Sequence, residues 1–300
     1  MAGFLDKIRA GRPILWDGGM GTQLQARGLP PGDAPERFNL THPEVVAAVH
    51  RDYFAAGAEG VETNTFGANR IGLDRYDLGH LTGEINRRAA EIARSVCPSG
   101  GLVAGSVGPS GQIPEPHGTC PLPELYDTFA EQAAALRDGG VDLYIVETMV
   151  DLGEISEAVK ACLEEGDRPV VALMTFDPVK QGGFRTVMGV SPAQAAEELL
   201  ALGVSAVGTN CSNSIEVMVE IARDFRRSGV AAPLVVMPNA GIPQVVEMKT
   251  VYVETPEKMA AHVDALIDAG ANVIGGCCGT TPEHIRAFRE AIDRRGGTKR

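Results

Sequence analysis

An α/β fold, with a parallel sheet closed into a single (β/α)8 barrel, follows from three features of the sequence. Short apolar runs alternate with stretches of helical length, eight times in succession. The runs are continuously apolar rather than alternating, the pattern of strands buried on both faces. The helical stretches repeatedly open on Pro or Ser and close on Gly, residues that favour the two ends of a helix. Strand-then-helix alternation specifies parallel pairing. Eight such units in one chain favour a closed TIM barrel over an open doubly wound sheet.

The first strand is read at 13–16 and ends at Asp17-Gly18-Gly19, and a helix follows over 43–56, stopping at Gly57. The second strand, 58–63, ends in Glu62-Thr63-Asn64-Thr65-Phe66, with a helix over 81–96. The third, 102–107, is closed by Gly108-Pro109 and followed by a helix over 123–137. The fourth, 141–146, ends at Glu147-Thr148 before a helix over 151–165. The fifth, 169–176, precedes a helix over 192–202 for which Ser191 is a natural cap. The sixth, 204–209, ends at Asn210-Cys211-Ser212 before a helix over 215–227. The seventh, 233–237, ends at Pro238-Asn239-Ala240-Gly241 before a helix over 256–269. The eighth, 272–276, turns at Cys277-Cys278 into a last helix over 282–295. The barrel is therefore expected to occupy residues 1–295, with a short tail at 296–300 and no internal linker.

The composition narrows the partners. With 39 acidic against 27 basic residues the net charge is −12, which argues against nucleic acid or an anionic membrane surface. No apolar run approaches the roughly 20 residues of a membrane span. Residues 1–10 lack the apolar segment of a secretory signal. A cytoplasmic protein with reduced thiols is expected. There, six scattered cysteines are too few for a disulfide scaffold, and clustered ones point to metal or catalysis.

Polar residues gather at the C-terminal ends of the strands: Asp17, Thr63 with Asn64, Ser106, Glu147, Asn210 with Cys211, Asn239, and Cys277 with Cys278. In a barrel these ends converge on the face that carries the active site. Cys277 and Cys278 are flanked by glycines, and neighbours in a regular strand point to opposite faces, so both sulfurs meet one point only if the backbone there is irregular. Buried apolar cysteines and a strained vicinal disulfide are the competing readings of the pair. Cys211, two strands away, supplies a third thiol. Cys97, Cys120 and Cys162 fall at a helix end, in a loop and inside a helix, and are read as structural. Three thiolates with one open position suit Zn2+; iron–sulfur clusters ordinarily take four cysteines in tighter spacings. Such a zinc is electron-rich and a poor activator of water, yet it can bind an incoming thiol and keep it ionised. The implied reaction is thiol alkylation. Asp17 and Glu147 could receive an ammonium group and the backbone N–H groups near Gly18 a carboxylate, which together suit an amino acid. Helix capping or a lysine partner is the plainer account of each carboxyl.

Taken together, Asp17-Gly18-Gly19-Met20-Gly21-Thr22, Glu62-Thr63-Asn64-Thr65-Phe66, Glu147-Thr148, Asn210-Cys211, Pro238-Asn239-Ala240-Gly241 and Gly275-Gly276-Cys277-Cys278-Gly279-Thr280-Thr281-Pro282 resemble the homocysteine S-methyltransferase family over nearly the whole chain. The last motif is the most specific. The resemblance implies one zinc held by Cys211, Cys277 and Cys278, with homocysteine sulfur as fourth ligand. Asp17, Gly18 and Glu147 match positions that hold the substrate's amino and carboxylate groups, and Thr63 and Phe66 match positions lining that pocket. Within the family the chain looks most like the homocysteine-binding barrel at the N-terminus of cobalamin-dependent methionine synthases, chiefly through the stretch from Pro238 to Tyr252. There the asparagine matching Asn239 can take the zinc's fourth position when substrate is absent.

One departure stands out. The sequence has no D-x-H-x-x-G run of the kind that carries cobalamin and no G-x-G-x-x-G loop. The methyl donor is therefore expected to bind elsewhere, as a methylcorrinoid on a partner protein, or to be a small molecule such as S-methylmethionine or a betaine. The segments 112–123 and 176–189 are expected to shape the donor side. Alkyl transfer to another thiol, and a non-catalytic zinc- or homocysteine-binding module, are the alternatives.

Overall fold

A computed structural model of the chain describes residues 3–246 and 249–297. Eight parallel strands line the centre: β1 (Ile14–Leu15), β2 (Gly60–Glu62), β3 (Leu102–Val107), β4 (Leu143–Met149), β5 (Val170–Met174), β6 (Ala206–Asn210), β7 (Leu234–Met237) and β8 (Val273–Ile274). The ladder runs β1–β8–β7–β6–β5–β4–β3–β2. The seam between β1 and β2 is closed by Glu59 N–H donating to the Leu15 carbonyl at 2.7 Å and by Glu62 N–H donating to Asp17 Oδ2 at 2.9 Å. The barrel expected from the alternation is the one observed.

Two apolar layers explain the continuous hydrophobicity of the strands. One set of side chains, including Val61, Val103, Val146, Ala172 and Val236, packs outward against the helices. The alternate set, including Ile14, Trp16, Leu102, Ile145, Leu173, Val235 and Val273, fills the barrel. The N-terminal end is plugged by a helix at Phe4–Arg9, whose Phe4 meets the Trp16 ring edge-on at 6.2 Å. Six residues are too few to show helical periodicity, and this helix had no sequence counterpart.

Most outer helices match their expected spans. Pro192–Leu202 begins with the anticipated Ser191 cap, whose Oγ accepts from Gln194 N–H while the Gln194 side chain reaches back. The helix expected over 256–269 is instead two pieces, Pro256–Ala260 and Val263–Asp268. His262 N–H bonds to the Met259 carbonyl three residues back, a tighter 3₁₀-type turn between them. The last helix runs over Pro282–Gly297, reaching into the expected tail; residues 298–300 lie outside the described residues. No helix among the described residues is long and apolar enough to cross a membrane.

The loops beyond the C-terminal ends of the strands carry small elements of their own: helices at Met20–Ala26, Phe38–Thr41 and Arg70–Asp74, a hairpin of Asp177–Pro178 with Phe184–Arg185, and another of Gln244–Val246 with Lys249–Val251. The side chains of residues 245–250, within the stretch from Pro238 to Tyr252, lie outside the described residues.

Candidate metal and substrate site

The three thiols reach one point because the backbone leaves the ladder early at β6 and β8. β6 ends at Asn210, after which Cys211 and Ser212 adopt left-handed conformations, φ 63° and 59°. Such values are uncommon outside glycine and collect at functional sites. β8 is spent by Ile274, and Gly276 N–H then bonds to the Asp17 carbonyl and Cys277 N–H to the Pro238 carbonyl, both at 2.8 Å. Gly279 follows at φ 80°, where a Cβ would also strike the Tyr252 ring. This irregular turn lets neighbouring cysteines face the same way. The Sγ atoms of Cys211, Cys277 and Cys278 lie within 4.8 Å of one another.

All six cysteines are free thiols, so the vicinal disulfide is not what the structure contains. Cys97, Cys120 and Cys162 stand apart from this cluster, the one such group among the described residues. Tetrahedral zinc with bonds of about 2.3 Å places its sulfurs about 3.8 Å apart, a separation the cluster reaches with little movement. The sulfurs also share charge as ligands do. Hydrogen bonds from Cys211 and Cys277 pull the Cys278 thiol down to about 3, with Tyr252 adding to the effect. Contact with Cys211 and Cys278, then burial, pushes Cys277 well up. Cys277 favours the Cys211 thiolate, but Cys278 and burial outweigh it and raise Cys211 to about 11. These contacts favour ionisation at Cys278 over its two neighbours. Asn239 is buried, and its Oδ1 has no hydrogen-bond partner. An oxygen left in that state is costly, and a cation beside it removes the cost. Three convergent thiols and an orphaned amide oxygen fit a metal.

Glu147 is aimed by a distortion of β4. Its neighbour Thr148 is left-handed at φ 59°, and the register with β5 slips between Val146 and Met149. Asn210 secures the bulge, accepting from Thr148 N–H through Oδ1 and donating from Nδ2 to Glu147 Oε2, each at 2.8 Å. Ser106 Oγ–H donates to Glu147 Oε1 at 2.6 Å. Asp17 accepts Glu62 N–H and is buried. Neither carboxyl caps a helix or pairs with a lysine or arginine among the described residues. Burial drives Asp17 well above the usual carboxylate range, and the neighbouring Glu147 adds to it. Burial raises Glu147 too, against the opposing hydrogen bond from Ser106.

A cavity of about 440 Å³ opens at this end of the barrel. Gly18, Thr63, Phe66, Glu147, Cys211, Cys277 and Cys278 all line it, whereas Asp17 and Asn239 do not. Thr63 is fixed by Thr65 Oγ1 at 2.6 Å and by Ser106 N–H at 3.1 Å. Phe66 stands 43% exposed at the mouth. Asn64 also lines the cavity, but its amide donates to the Pro35 carbonyl at 2.8 Å and to Asn39 Oδ1 at 3.0 Å. Gly19 N–H is taken by Thr280 Oγ1 at 3.0 Å, so of the two glycines it is Gly18 whose backbone is left for a ligand. Glu62, Ser106 and Asn210 carry no individual role in the sequence pattern. Ser106 and Asn210 hold Glu147, and Glu62 is itself part of the wall. Glu62 sits at a strand end as Glu147 does, and that position was the available signal.

A three-thiol cluster that could hold a metal, beside an acidic pocket at the C-terminal mouth of a (β/α)8 barrel, is the arrangement of a barrel-class enzyme. The sequence profile of the homocysteine S-methyltransferase family matches residues 14–292, and the chain belongs to that family. Its relatives include methionine synthases of Mycobacterium tuberculosis, 35% identical over 94% of this chain, and of Mycobacterium leprae, 34% identical over 95%. The chain spans about a quarter of the length of each. Among solved structures, the metallated form of the Escherichia coli homocysteine methyltransferase MmuM superposes with a TM-score of 0.79 at 26% identity, over 95% of this chain and 99% of that one.

Proposed function

We propose that the protein is a zinc-dependent methyltransferase that moves a methyl group onto the thiol of homocysteine, giving methionine. The observation that carries this reading is the meeting of three convergent thiols with buried carboxyls that have no cation of their own, across one cavity. A thiol-bearing amino acid satisfies both halves. Cys211, Cys277 and Cys278 would hold the metal, and Asn239 Oδ1 would complete it without substrate. When bound, zinc supplies the Lewis acidity that keeps a thiol ionised at neutral pH.

The chain's own residues supply binding and orientation. Glu147, fixed by Ser106 and Asn210, presents its carboxyl to the α-ammonium group, with Asp17 behind the wall. The Gly18 backbone faces the α-carboxylate. Thr63 and Phe66 close the pocket on the carbon chain. Held at both ends, the substrate keeps its sulfur at a fixed point, and orientation of this kind is a large part of what an alkyl transfer needs.

The methyl donor approaches from the open mouth. Among the described residues, the exposed large apolar side chains, Phe66, Tyr76, Ile113, Val187, Ile242, Val251 and Val253, all lie on loops beyond the C-terminal ends of β2, β3, β5 and β7. A hydrophobic rim around an active-site mouth suits a docking protein, which favours a methylcorrinoid carried by a partner over a free small molecule. Six free thiols suit a cytoplasmic setting.

The test is turnover by zinc-replete protein with homocysteine, offering methylcobalamin, S-methylmethionine and glycine betaine in parallel, each against Cys278→Ala. Methionine formed from one donor and lost in the variant identifies the donor and supports the reading. Saturable homocysteine binding without turnover from any donor, including a corrinoid protein, would leave a binding module instead.

A further inference from the structure

The pocket contains a third carboxyl, and its place in the barrel is set by strand alternation. Gly60 faces the barrel interior, where a Cβ would collide with the Trp16 ring. Two residues on, Glu62 faces the same way, at the C-terminal end of β2, and it lines the cavity. Its backbone N–H is what occupies Asp17 Oδ2. Its carboxyl stands beside the Glu147 carboxyl. Its Oε1 is buried and has no hydrogen-bond partner.

Two neighbouring carboxyl groups oppose each other's ionisation, and the surroundings say which is the better anion. Glu147 receives Ser106 Oγ–H, Asn210 Nδ2–H and, at 3.4 Å, Thr148 Oγ1–H, all of which favour its anion. Glu62 Oε1 receives nothing. The groups facing Glu62 are Asp17 from β1 and Glu147 from β4, and both oppose its ionisation. Glu147 is therefore the better-stabilised anion of the two, and Glu62 Oε1 is the acceptor left without a donor.

We propose that Glu62 is a substrate-positioning residue, whose unpartnered Oε1, beside Glu147 in the cavity wall, accepts a hydrogen bond from the substrate's α-ammonium group. The proposal rests on the homocysteine reading and deepens it. An ammonium offers three donors. Glu147 and Glu62 meet it at the wall, and Asp17 acts from behind through the Glu62 backbone.

The test compares two ligands, L-homocysteine and 4-sulfanylbutanoate, the same thiol acid without the ammonium. Binding of each to zinc-loaded protein is measured by calorimetry for wild type, Glu62→Met and Glu62→Gln, with zinc content and circular dichroism as controls. Wild type is expected to prefer homocysteine. In Glu62→Met that preference falls about tenfold to a hundredfold, the scale of a hydrogen bond to a charged group, and it falls through homocysteine alone. Glu62→Gln keeps a carbonyl acceptor and recovers most of the preference. An unchanged preference in Glu62→Met, an equal loss for both thiols, or a glutamine no better than methionine overturns the proposal. If wild type itself shows no preference, or binds neither thiol, the homocysteine reading fails first and takes this inference with it.

Discussion

The two ends of the barrel treat charge in opposite ways. At the N-terminal end Glu59 meets Lys7 at 3.1 Å, Arg12 through both oxygens at 2.7 and 2.6 Å, and Arg289 at 3.5 Å. Asp142, just ahead of β4, pairs with Arg94 at 2.6 Å and accepts Val103 N–H at 2.8 Å. Asn272, just ahead of β8, accepts from Arg226 and from Leu234 N–H. Arginines tie strand starts together, and a cavity of about 600 Å³ at this end is lined by arginines already engaged. At the C-terminal end Asp17 and Glu147 are buried and Glu62 is half-buried, none with a cation among the described residues; four non-glycine residues (Asp77, Thr148, Cys211 and Ser212) sit in left-handed conformations, and Asn239 Oδ1 lacks a partner. One end is satisfied by the chain; the other is completed by what binds. Satisfied charge contributes stability, and unsatisfied charge is a binding site maintained at a cost in stability.

The sharpest way to break the comparison is to remove a ligand that the fold does not need. Cys278→Ala is expected to lose metal from near stoichiometric to near zero and to reduce turnover to below about a hundredth, since even residues behind metal ligands cost up to that much. The metal-free variant should melt within about 2 °C of metal-free wild type, a surface-scale effect. A variant with unaltered metal content would remove the three-thiol site.

Next in size, Glu59→Gln should cost about 1–2 kcal/mol, between the values for exposed and buried ion pairs because Arg12 is half exposed, and lower Tm by several degrees without touching homocysteine binding. The pH dependence separates the ends further. Glu59 is lowered by its hydrogen bonds to Arg12 and Lys7, which outweigh burial. Its contribution is therefore complete above the ordinary glutamate value near 4.5 and is lost as pH falls through the lowered one. Glu62 is raised well above that value by burial, then by Glu147 and Asp17. The folded state then holds a proton the unfolded chain has released, so stability declines as pH rises from about 4.5 through the raised value. Melting of metal-free protein across pH 5 to 8 should show a decline that Glu62→Gln reduces, Asp17 and Glu147 supplying the remainder, and that Glu59→Gln leaves unaltered.

The same division explains what could be read in the sequence. The strands were legible because each is apolar on both faces, and the helices because their caps are ordinary; the span 192–202 emerges unchanged. The cysteines were legible because Cys277-Cys278 lies among glycines at a strand end. What escaped depended on partners rather than pattern. Helix Met20–Ala26 follows two glycines and is seven residues long, a composition that reads as a turn. Ser106 and Asn210 were visible as polar strand ends, but their grip on Glu147 spans three strands. Glu62 stands at a strand end inside a motif, but only its place in the cavity wall and its orphaned oxygen mark it out from its neighbours.

The smallest expected effect falls on Asn239. If its Oδ1 holds the metal's open position in the resting protein, substrate must displace it, and the apparent affinity is reduced by the fraction of time the position is filled. Asn239→Ala should then retain metal and tighten homocysteine binding by about two- to fivefold. The turn itself should survive, because Asn239 is tied through its backbone N–H to the Asn213 carbonyl at 3.3 Å, a bond alanine keeps. Affinity that is unchanged or weaker in the variant would make Asn239 a lining residue only. Titration of homocysteine into both metal-loaded proteins distinguishes these outcomes, and the sign of the change, more than its size, decides whether this oxygen serves the metal.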